Sequence, residues 1–365
     1  MSHPQPLHPS DSPGRSQGKS PPTQPGSQPQ NGGARAQYAY PHLQALIARA
    51  SGRGAVIAVA YPCEALALSA SLDVAAQGLA ELRLVGPRAR IEATAAEAGL
   101  ELGGAVIVDT PDDPLAAARK AAALVMDGEA HALMKGSLHT DELMSVVVSR
   151  ETGLRTARRV SHVFMFDLPD VAQPLMMTDC VVNIAPDLLV KRDIVQNAID
   201  LARAIGIARP YVGILSATEA VNPAIPGTLD AAALCKMADR GQITGGVLDG
   251  PLAFDNAISA ESARIKHIES PVAGHPDILL VPNLEAGNTL YKSLVYLGHA
   301  ECAGLVLGTR APVILTSRAD SAFSRLASAA LGVLAAGIGQ TAAGAAVPGS
   351  AAQGESPDTT AQARA

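Results

Sequence analysis

Short apolar runs alternate with Ala-rich segments of helical length along most of this 365-residue chain. Runs of alternating strand and helix character predict a parallel sheet, because each helix must return the chain to the same edge before the next strand. The first series has strand-like runs at residues 55–60, 82–85, 105–108 and 130–134. The second has them at residues 162–166, 180–183, 211–215, 244–248 and 278–281, with helices expected at 188–205, 229–240 and 289–297. We therefore predict an α/β fold with two lobes, mainly parallel sheets and a cleft between the lobes.

The ends of the chain differ from this alternating body. Residues 1–36 are dominated by Pro, Ser, Gln and Gly, so we expect a disordered tail. Residues 342–365 are similarly poor in apolar side chains and form a second expected tail. Between them, the segment after residue 303 is placed to return to the first sheet. The predicted domains are therefore 37–157 with 303–341, a discontinuous first domain, and 158–302.

Composition limits the classes of partner. The net charge is −6 and the basic residues form no continuous run, which argues against nucleic acid. The N-terminus has no apolar segment typical of a signal peptide, and no apolar segment is long enough to cross a bilayer, so neither secretion nor a membrane partner is expected. Four cysteines lie far apart without metal-ligand spacing, which favours a reducing cytoplasm and no metal site.

A strand-turn-helix pattern surrounds residue 283. Residues 278–281 form a short apolar run closed by Pro282, and a polar, Gly-containing segment leads from there into a helical pattern. We expect this segment to be a turn in the wall of the cleft. Its candidates for substrate contact are Asn283, Gly287 and Asn288.

A second polar turn follows the apolar run at residues 312–316. It carries a hydroxyl, a guanidinium and a carboxylate, on Ser317, Arg318 and Asp320. At the carboxyl end of a parallel strand these groups would lie where open α/β sheets bind ligands. The alternative is that Ser317 merely caps the next helix, with Asp320 three residues later in a capping arrangement.

A third candidate site follows the strand-like run at residues 130–134. Backbone N–H groups near Gly136 and Ser137, together with the Lys135 ammonium, are expected to hold a phosphate. The segment is not a Walker A loop, and a capped helix start with a solvated lysine would look the same. A nearby Arg cluster also suits phosphate geometry, although such a run is usually a solvated face. Its members are Arg150, Arg155, Arg158 and Arg159.

Several segments, taken in order, resemble the phosphate acetyl/butyryltransferase (phosphotransacetylase) family. They cover most of the chain between the two tails. The matching segments are Lys135-Gly136-Ser137 with His139-Thr140, Asp249-Gly250-Pro251-Leu252 with Phe254-Asp255, Val272-Ala273-Gly274, residues 282–288 with Tyr291-Lys292, and Pro312-Val313 with Ser317-Arg318.

This resemblance implies an isocitrate-dehydrogenase-like fold and assembly as a homodimer. It implies the reaction of acyl-CoA with phosphate to give acyl phosphate and CoA, in either direction, with acetyl-CoA as the expected substrate and longer acyl chains, as in phosphate butyryltransferases, as the alternative. Coenzyme A is then a substrate, and no bound cofactor or metal is expected.

The resemblance also implies roles for particular residues. Ser317 resembles the family's serine that hydrogen-bonds near the reacting thiol or carbonyl, and Arg318 resembles its phosphate-holding arginine. Asp320 is the nearest carboxylate and the candidate base that deprotonates the thiol. The implied substrate-binding residues are Lys135, Ser137, His139, Thr140, Arg150, Arg155, Asn283, Gly287 and Asn288.

The chain departs from the acetyl-type pattern at three positions. Ser324 stands where a carboxylate is the proposed base, Lys135 stands where a serine is usual, and apolar residues surround Val146 where an arginine is usual. The sequence around Ser317 is closer to butyryl-type members. We expect Arg150 or Arg155 to replace the missing arginine.

Two other functions remain open from the sequence. A metal-dependent hydroxyacid dehydrogenase of the same superfold would need a triad of cleft aspartates, for which Asp249 and Asp255 are the suggestive pair. A non-catalytic regulator that binds CoA or acyl phosphate would explain the altered base position.

Overall fold

The computed structural model describes residues 38–169, 171–317 and 319–336. Within them, eleven strands form one sheet in the order β3-β2-β1-β4-β11-β10-β5-β6-β9-β7-β8. The strands are β1 Val56–Ala60, β2 Glu81–Gly86, β3 Val106–Asp109, β4 Ala132–Lys135, β5 Ser161–Asp167, β6 Leu175–Thr178, β7 Tyr211–Leu215, β8 Val247–Leu252, β9 Ile278–Leu280, β10 Glu301–Leu307 and β11 Val313–Ile314.

Helices connect most of these strands. Eleven lie in the described part of the chain: α1 Pro41–Ala50, α2 Ala65–Ala76, α3 Arg88–Ala98, α4 Pro114–Met126, α5 Thr140–Val147, α6 Leu188–Ala204, α7 Pro226–Asp239, α8 Phe254–Ile258, α9 Ala260–Ile265, α10 Leu284–Tyr296 and α11 Ala322–Ala335.

The sheet contains two parallel blocks. One block consists of β3, β2, β1, β4 and β11, and the other of β6, β9, β7 and β8. Antiparallel pairing of β10 with both β5 and β11, and of β5 with β6, joins the blocks. The predicted α/β class with mainly parallel strands is confirmed, and β11 does return to the first block, next to β4.

The predicted domain limits stay a prediction, since no observation tests them. The two expected tails, residues 1–36 and 342–365, lie outside the described residues, as does the end of the segment 303–341.

One predicted strand is wrong. Residues 180–183 are not a strand but a turn that follows β6. The buried Asp179 carboxylate accepts hydrogen bonds from the backbone N–H groups of Val181, Val182 and Asn183. A carboxylate that takes three successive N–H groups leaves none of them for a strand ladder, and this local competition is invisible in an apolar run.

Aliphatic side chains make up most of the interior. Small and branched aliphatic side chains cover both faces of the first parallel block, and β5 is buried at all seven positions. The few aromatic rings gather in a second cluster, where Phe164 stacks on Tyr291 with ring centroids 4.3 Å apart. Among the described helices, none is both long enough and apolar enough to cross a membrane.

Candidate active site

An open pocket lies at the carboxyl ends of β1, β4 and β11. These strands are neighbours and run parallel, so the segments that follow them meet at one edge of the sheet. The pocket is lined by Glu64, Leu66, Ala67, Ala70, Met134, Lys135, Gly136, Ser137, Thr316, Ser317 and Arg325. Three residues singled out in the sequence, Lys135, Ser137 and Ser317, are thus brought together although 180 positions separate Ser137 from Ser317.

The segment after β4 turns sharply against β1. The N–H of Gly136 donates to Ala60 O at 2.9 Å and that of Ser137 to Tyr61 O at 2.8 Å. A Cβ at Gly136 would lie 2.3 Å from Ala60 O, so only glycine fits. The expectation that these two N–H groups hold a phosphate is therefore wrong, because the neighbouring strand already uses both.

Lys135 and Ser137 of this segment both line the pocket. Lys135 is half-buried, and its Nζ lies 3.4 Å from Gly136 O. Ser137 Oγ is buried and has no hydrogen-bond partner among the described residues. At this position the two main-chain N–H groups are used within the sheet, and Lys135 and Ser137 line the pocket.

The segment after β11 folds back on itself through Asp320. The Asp320 carboxylate accepts the N–H of Ser317 at 2.6 Å, and the N–H of Asp320 donates to Ser317 O at 3.2 Å. Ser317 Oγ accepts from Ala319 N at 3.2 Å, which leaves the hydroxyl proton available for another acceptor. Arg318, the remaining member of the predicted catalytic group, lies outside the described residues.

The capping alternative for Ser317 is not what the structure shows. Helix α11 begins at Ala322, and its N-cap is Ser321, whose side chain accepts from Ser324 N. The hydroxyl groups of Ser321 and Ser324 both donate hydrogen bonds to the buried Glu301 carboxylate. Ser317 precedes the helix by several residues and lines the pocket instead.

One wall of the pocket is apolar and was not anticipated from the sequence. Helix α2 contributes Leu66, Ala67 and Ala70, and β4 contributes Met134. Glu64, which precedes this helix, is a carboxylate among the lining residues. The available signal was the Pro62 turn directly after a buried strand, since such turns carry ligand-binding residues in parallel sheets.

Four predicted substrate-binding residues are outside the pocket lining. His139 and Thr140 are exposed at the start of α5, where the N–H of His139 donates to the Glu142 carboxylate at 2.7 Å. Arg150 and Arg155 are exposed in the connection that precedes β5. Their proposed contacts with substrate stay a prediction.

Three further candidates lie at the start of α10, away from the pocket lining. Asn283 is the N-cap and accepts from Ala286 N at 3.0 Å, while the Asn288 side chain donates to Cys180 O at 3.3 Å. The expected turn is in fact helix, since α10 already begins at Leu284. A Cβ on Gly287 would lie 2.7 Å from Val281 Cγ2, so glycine permits the close approach of helix and strand. A substrate contact by these residues stays a prediction.

The two aspartates suggested for a metal site are not in the pocket lining either. Asp249 accepts the N–H of Gly250, and Asp255 forms an ion pair with Lys266 at 2.8 Å. Hydrogen bonds from Lys266 and Ser262 lower the pKa of Asp255 to about 2. Among the described residues there is no group of three or more His, Cys, Asp and Glu side chains arranged to hold a metal ion.

The fold and the pocket together define an α/β protein with a candidate ligand site at the carboxyl edge of a parallel block. One wall of that site offers hydroxyl and cationic side chains, and the other offers apolar ones. A ligand with an anionic head and a short apolar group matches both walls.

Comparison with known proteins agrees with this description. A family model described as phosphate acetyl/butaryl transferase matches residues 114–333. The chain is 59% identical to a phosphate acetyltransferase of Rhizobium meliloti over 77% of this chain and 88% of that protein. It is 43% identical to a phosphate butyryltransferase of Clostridium acetobutylicum over 77% of this chain and 93% of that protein.

Solved structures give the same result. A branched-chain phosphotransacylase from Enterococcus faecalis V583 superimposes with a TM-score of 0.69 at 31% identity, covering 77% of this chain and 99% of that one. The chain belongs to the phosphate acetyl/butaryl transferase family. It is an acyltransferase, as its resemblance in sequence implied.

Proposed function

We propose that this protein transfers an acyl group between coenzyme A and inorganic phosphate, with acetyl-CoA as the preferred substrate. The single observation that supports this most directly is the pocket with one polar and one apolar wall. An acyl phosphate has the matching two-part structure. The relatives named phosphate acetyltransferase favour the acetyl group, and the one named phosphate butyryltransferase supports longer chains as the alternative.

The proposed reaction needs no covalent enzyme intermediate. The CoA thiolate attacks the carbonyl carbon of the acyl phosphate, a C–S bond forms, the C–O bond to phosphate breaks, and phosphate leaves with the bonding electrons. Negative charge develops on the carbonyl oxygen during attack, and the hydroxyl of Ser317 can donate a hydrogen bond to it. Lys135 and Arg318 supply positive charge for the phosphate group.

The thiol proton needs an acceptor, and we propose Asp320 for this role. Its carboxylate accepts the Ser317 N–H at 2.6 Å, so it is close to the residue whose hydroxyl is proposed to donate to the carbonyl oxygen. Glu64 is the competing candidate, because it is a carboxylate among the pocket-lining residues. Asp320→Asn and Glu64→Gln separate the two: the variant of the true base loses turnover at neutral pH and regains part of it as the pH rises and the thiol ionises unaided.

The apolar wall is proposed to hold the acyl chain. Ala67 and Ala70 face the pocket from α2, and a larger side chain there shortens the space. Ala70→Val is expected to reduce kcat/KM for butyryl-CoA more than for acetyl-CoA. Ala65→Val, at an exposed position on the same helix, is the matched control and should leave the ratio unchanged.

The direct test is CoA-dependent formation of acyl phosphate from acetyl-, propionyl- and butyryl-CoA with inorganic phosphate. Absence of turnover with all three would refute the proposal. Activity that persists after exhaustive chelation would separate it from the metal-dependent dehydrogenase alternative.

Two further proposals concern setting and assembly. We propose a cytoplasmic homodimer, for which the four cysteines present as free thiols support a reducing setting. Light scattering coupled to size-exclusion chromatography should give twice the mass of 37.2 kDa.

A further inference from the structure

Two of the pocket-lining residues carry buried polar atoms that lack a hydrogen-bond partner within the described part of the chain. They are Ser137 Oγ and Arg325 Nε. Such atoms are uncommon in folded proteins, because leaving a buried donor unpaired destabilises the fold. Two of them lining one pocket indicate donors that are kept for a ligand.

The Arg325 guanidinium is held in a defined position. Its Nη2 donates to Asp320 O at 2.6 Å, which joins the side chain to the same turn that carries Ser317. The start of α11, from which Arg325 projects, is itself fixed by the Ser321 cap and by the buried Glu301 carboxylate. A side chain fixed at both ends loses little conformational entropy when a ligand binds.

The chemistry of the pocket identifies the ligand. Lys135 and Arg325 are cations, and Ser137, Thr316 and Ser317 carry hydroxyl groups. A guanidinium presents several N–H donors in one plane and suits the oxygens of a phosphate group. The Arg325 guanidinium and the Ser137 hydroxyl both offer the kind of donor that phosphate oxygens accept.

We propose that Arg325 binds inorganic phosphate, with Ser137 as its partner donor. The inference rests on the proposed function for its kinetic consequences, but phosphate binding itself can be measured without turnover. Arg325 was not a candidate from the sequence, where it reads as one more polar residue on a helix that packs against the sheet.

The experiment uses the full-length protein and three variants of Arg325 and Ser137, which are Arg325→Met, Arg325→Lys and Ser137→Ala. Arg310→Met is the matched control, because Arg310 is exposed, lies outside the pocket lining and also bonds a backbone carbonyl, Gly153 O. Ser145→Ala, an exposed serine on α5, is the control for Ser137. KM for phosphate and KM for CoA are measured separately, and phosphate binding is measured by calorimetry.

The expected result is a rise of at least tenfold in KM for phosphate in Arg325→Met, a smaller rise in Arg325→Lys and Ser137→Ala, and a KM for CoA within twofold of wild type. Calorimetry should show the same order of phosphate affinities, with both controls like wild type. Arg325→Lys keeps a cation at the position and serves as the test if the Met variant does not fold.

Two outcomes overturn the inference. One is that the wild type is active and a folded Arg325 variant has the same KM for phosphate as the wild type. The other is a rise confined to KM for CoA, which would assign Arg325 to the CoA phosphates. A wild type that binds phosphate but catalyses no acyl transfer would refute the proposed function, and loss of that binding in Arg325→Met would still support the inference.

Discussion

Two strand-turn-helix units of the molecule use their polar residues differently. In the first, Asn283 follows β9 and caps α10, and Asn288 bonds Cys180 O. In the second, the cap of α11 is Ser321, and Ser317 lines the pocket. In the first unit the polar side chains complete the helix start and its packing, whereas in the second Ser317 lies outside the helix and lines the pocket.

The position of the helix cap explains the difference. Only residues 281 and 282 separate the end of β9 from Asn283, the N-cap of α10. Residues 315–320 separate the end of β11 from Ser321, the N-cap of α11. The longer connection leaves room for a turn closed by Asp320, and this turn presents a hydroxyl at the carboxyl edge of the sheet. Ser137 Oγ, a buried atom without a hydrogen-bond partner among the described residues, belongs to another residue that lines this pocket.

The largest expected effect is the loss of activity in Ser317→Ala. Removing one donor that stabilises a developing oxyanion lowers turnover by about 10²- to 10³-fold. Because Ser317 is exposed and does not cap α11, the melting temperature should stay within a few degrees of wild type, so a steady-state assay and a thermal melt together give the answer. A drop in stability with turnover retained would mean that Ser317, like Asn283, serves the local structure and not catalysis.

The next largest effect is expected for Gly287→Ala, which should lower the free energy of unfolding. The added methyl group lies 2.7 Å from Val281 Cγ2 and 3.1 Å from Asp179 O, so α10 must move away from the strand. Overpacking of this kind costs about 1–3 kcal/mol in the free energy of unfolding. Denaturant titration measures it, with Gly104→Ala as the control because a Cβ there meets nothing within 4 Å.

Asn283→Ala should have a smaller effect on stability. It removes the side chain that accepts Ala286 N, and loss of such a cap costs about 1 kcal/mol. The Asp variant keeps an acceptor at this position and should recover most of the loss. If acyl transfer in a folded Asn283→Ala falls as much as in Ser317→Ala, the start of α10 belongs to the substrate site.

The smallest expected effect is a loss of folding stability in acid, caused by His162, with no change in stability at neutral pH. Burial lowers the pKa of His162 to about 4, against a smaller opposing effect of the Asp179 carboxylate. The folded protein then keeps this histidine neutral, while the unfolded chain takes up a proton near pH 6.5. Stability is therefore highest above that pH and is lost as the pH falls from 6.5 towards about 4.

Denaturant titrations across this range test the role of His162. In His162→Gln the loss of stability between pH 6.5 and 4 should be smaller than in wild type, whereas His275→Gln, at an exposed position, should behave as wild type does. Equal losses in wild type and His162→Gln would show that other groups cause the acid effect.

Much of the α/β architecture was predictable from the sequence because buried parallel strands leave continuous apolar runs. Prediction failed where a local side chain competed with regular structure. Residues 180–183 are apolar enough for a strand, yet the Asp179 carboxylate accepts the N–H groups of Val181, Val182 and Asn183. The start of α10 was predicted too late in the chain, because a glycine such as Gly287 weakens a helical pattern. The reason for a glycine there is the close packing of α10 against Val281, which is visible only in three dimensions.

The sequence by itself determined the fold class and the family, and it singled out Lys135, Ser137 and Ser317, which line the pocket. Only the tertiary structure decided which polar groups remain available. It assigned the Gly136 and Ser137 N–H groups to β1, placed Arg325 in the pocket and added the apolar wall of α2. The physical reason is that a hydrogen bond between segments far apart in the chain leaves no periodic trace in either segment.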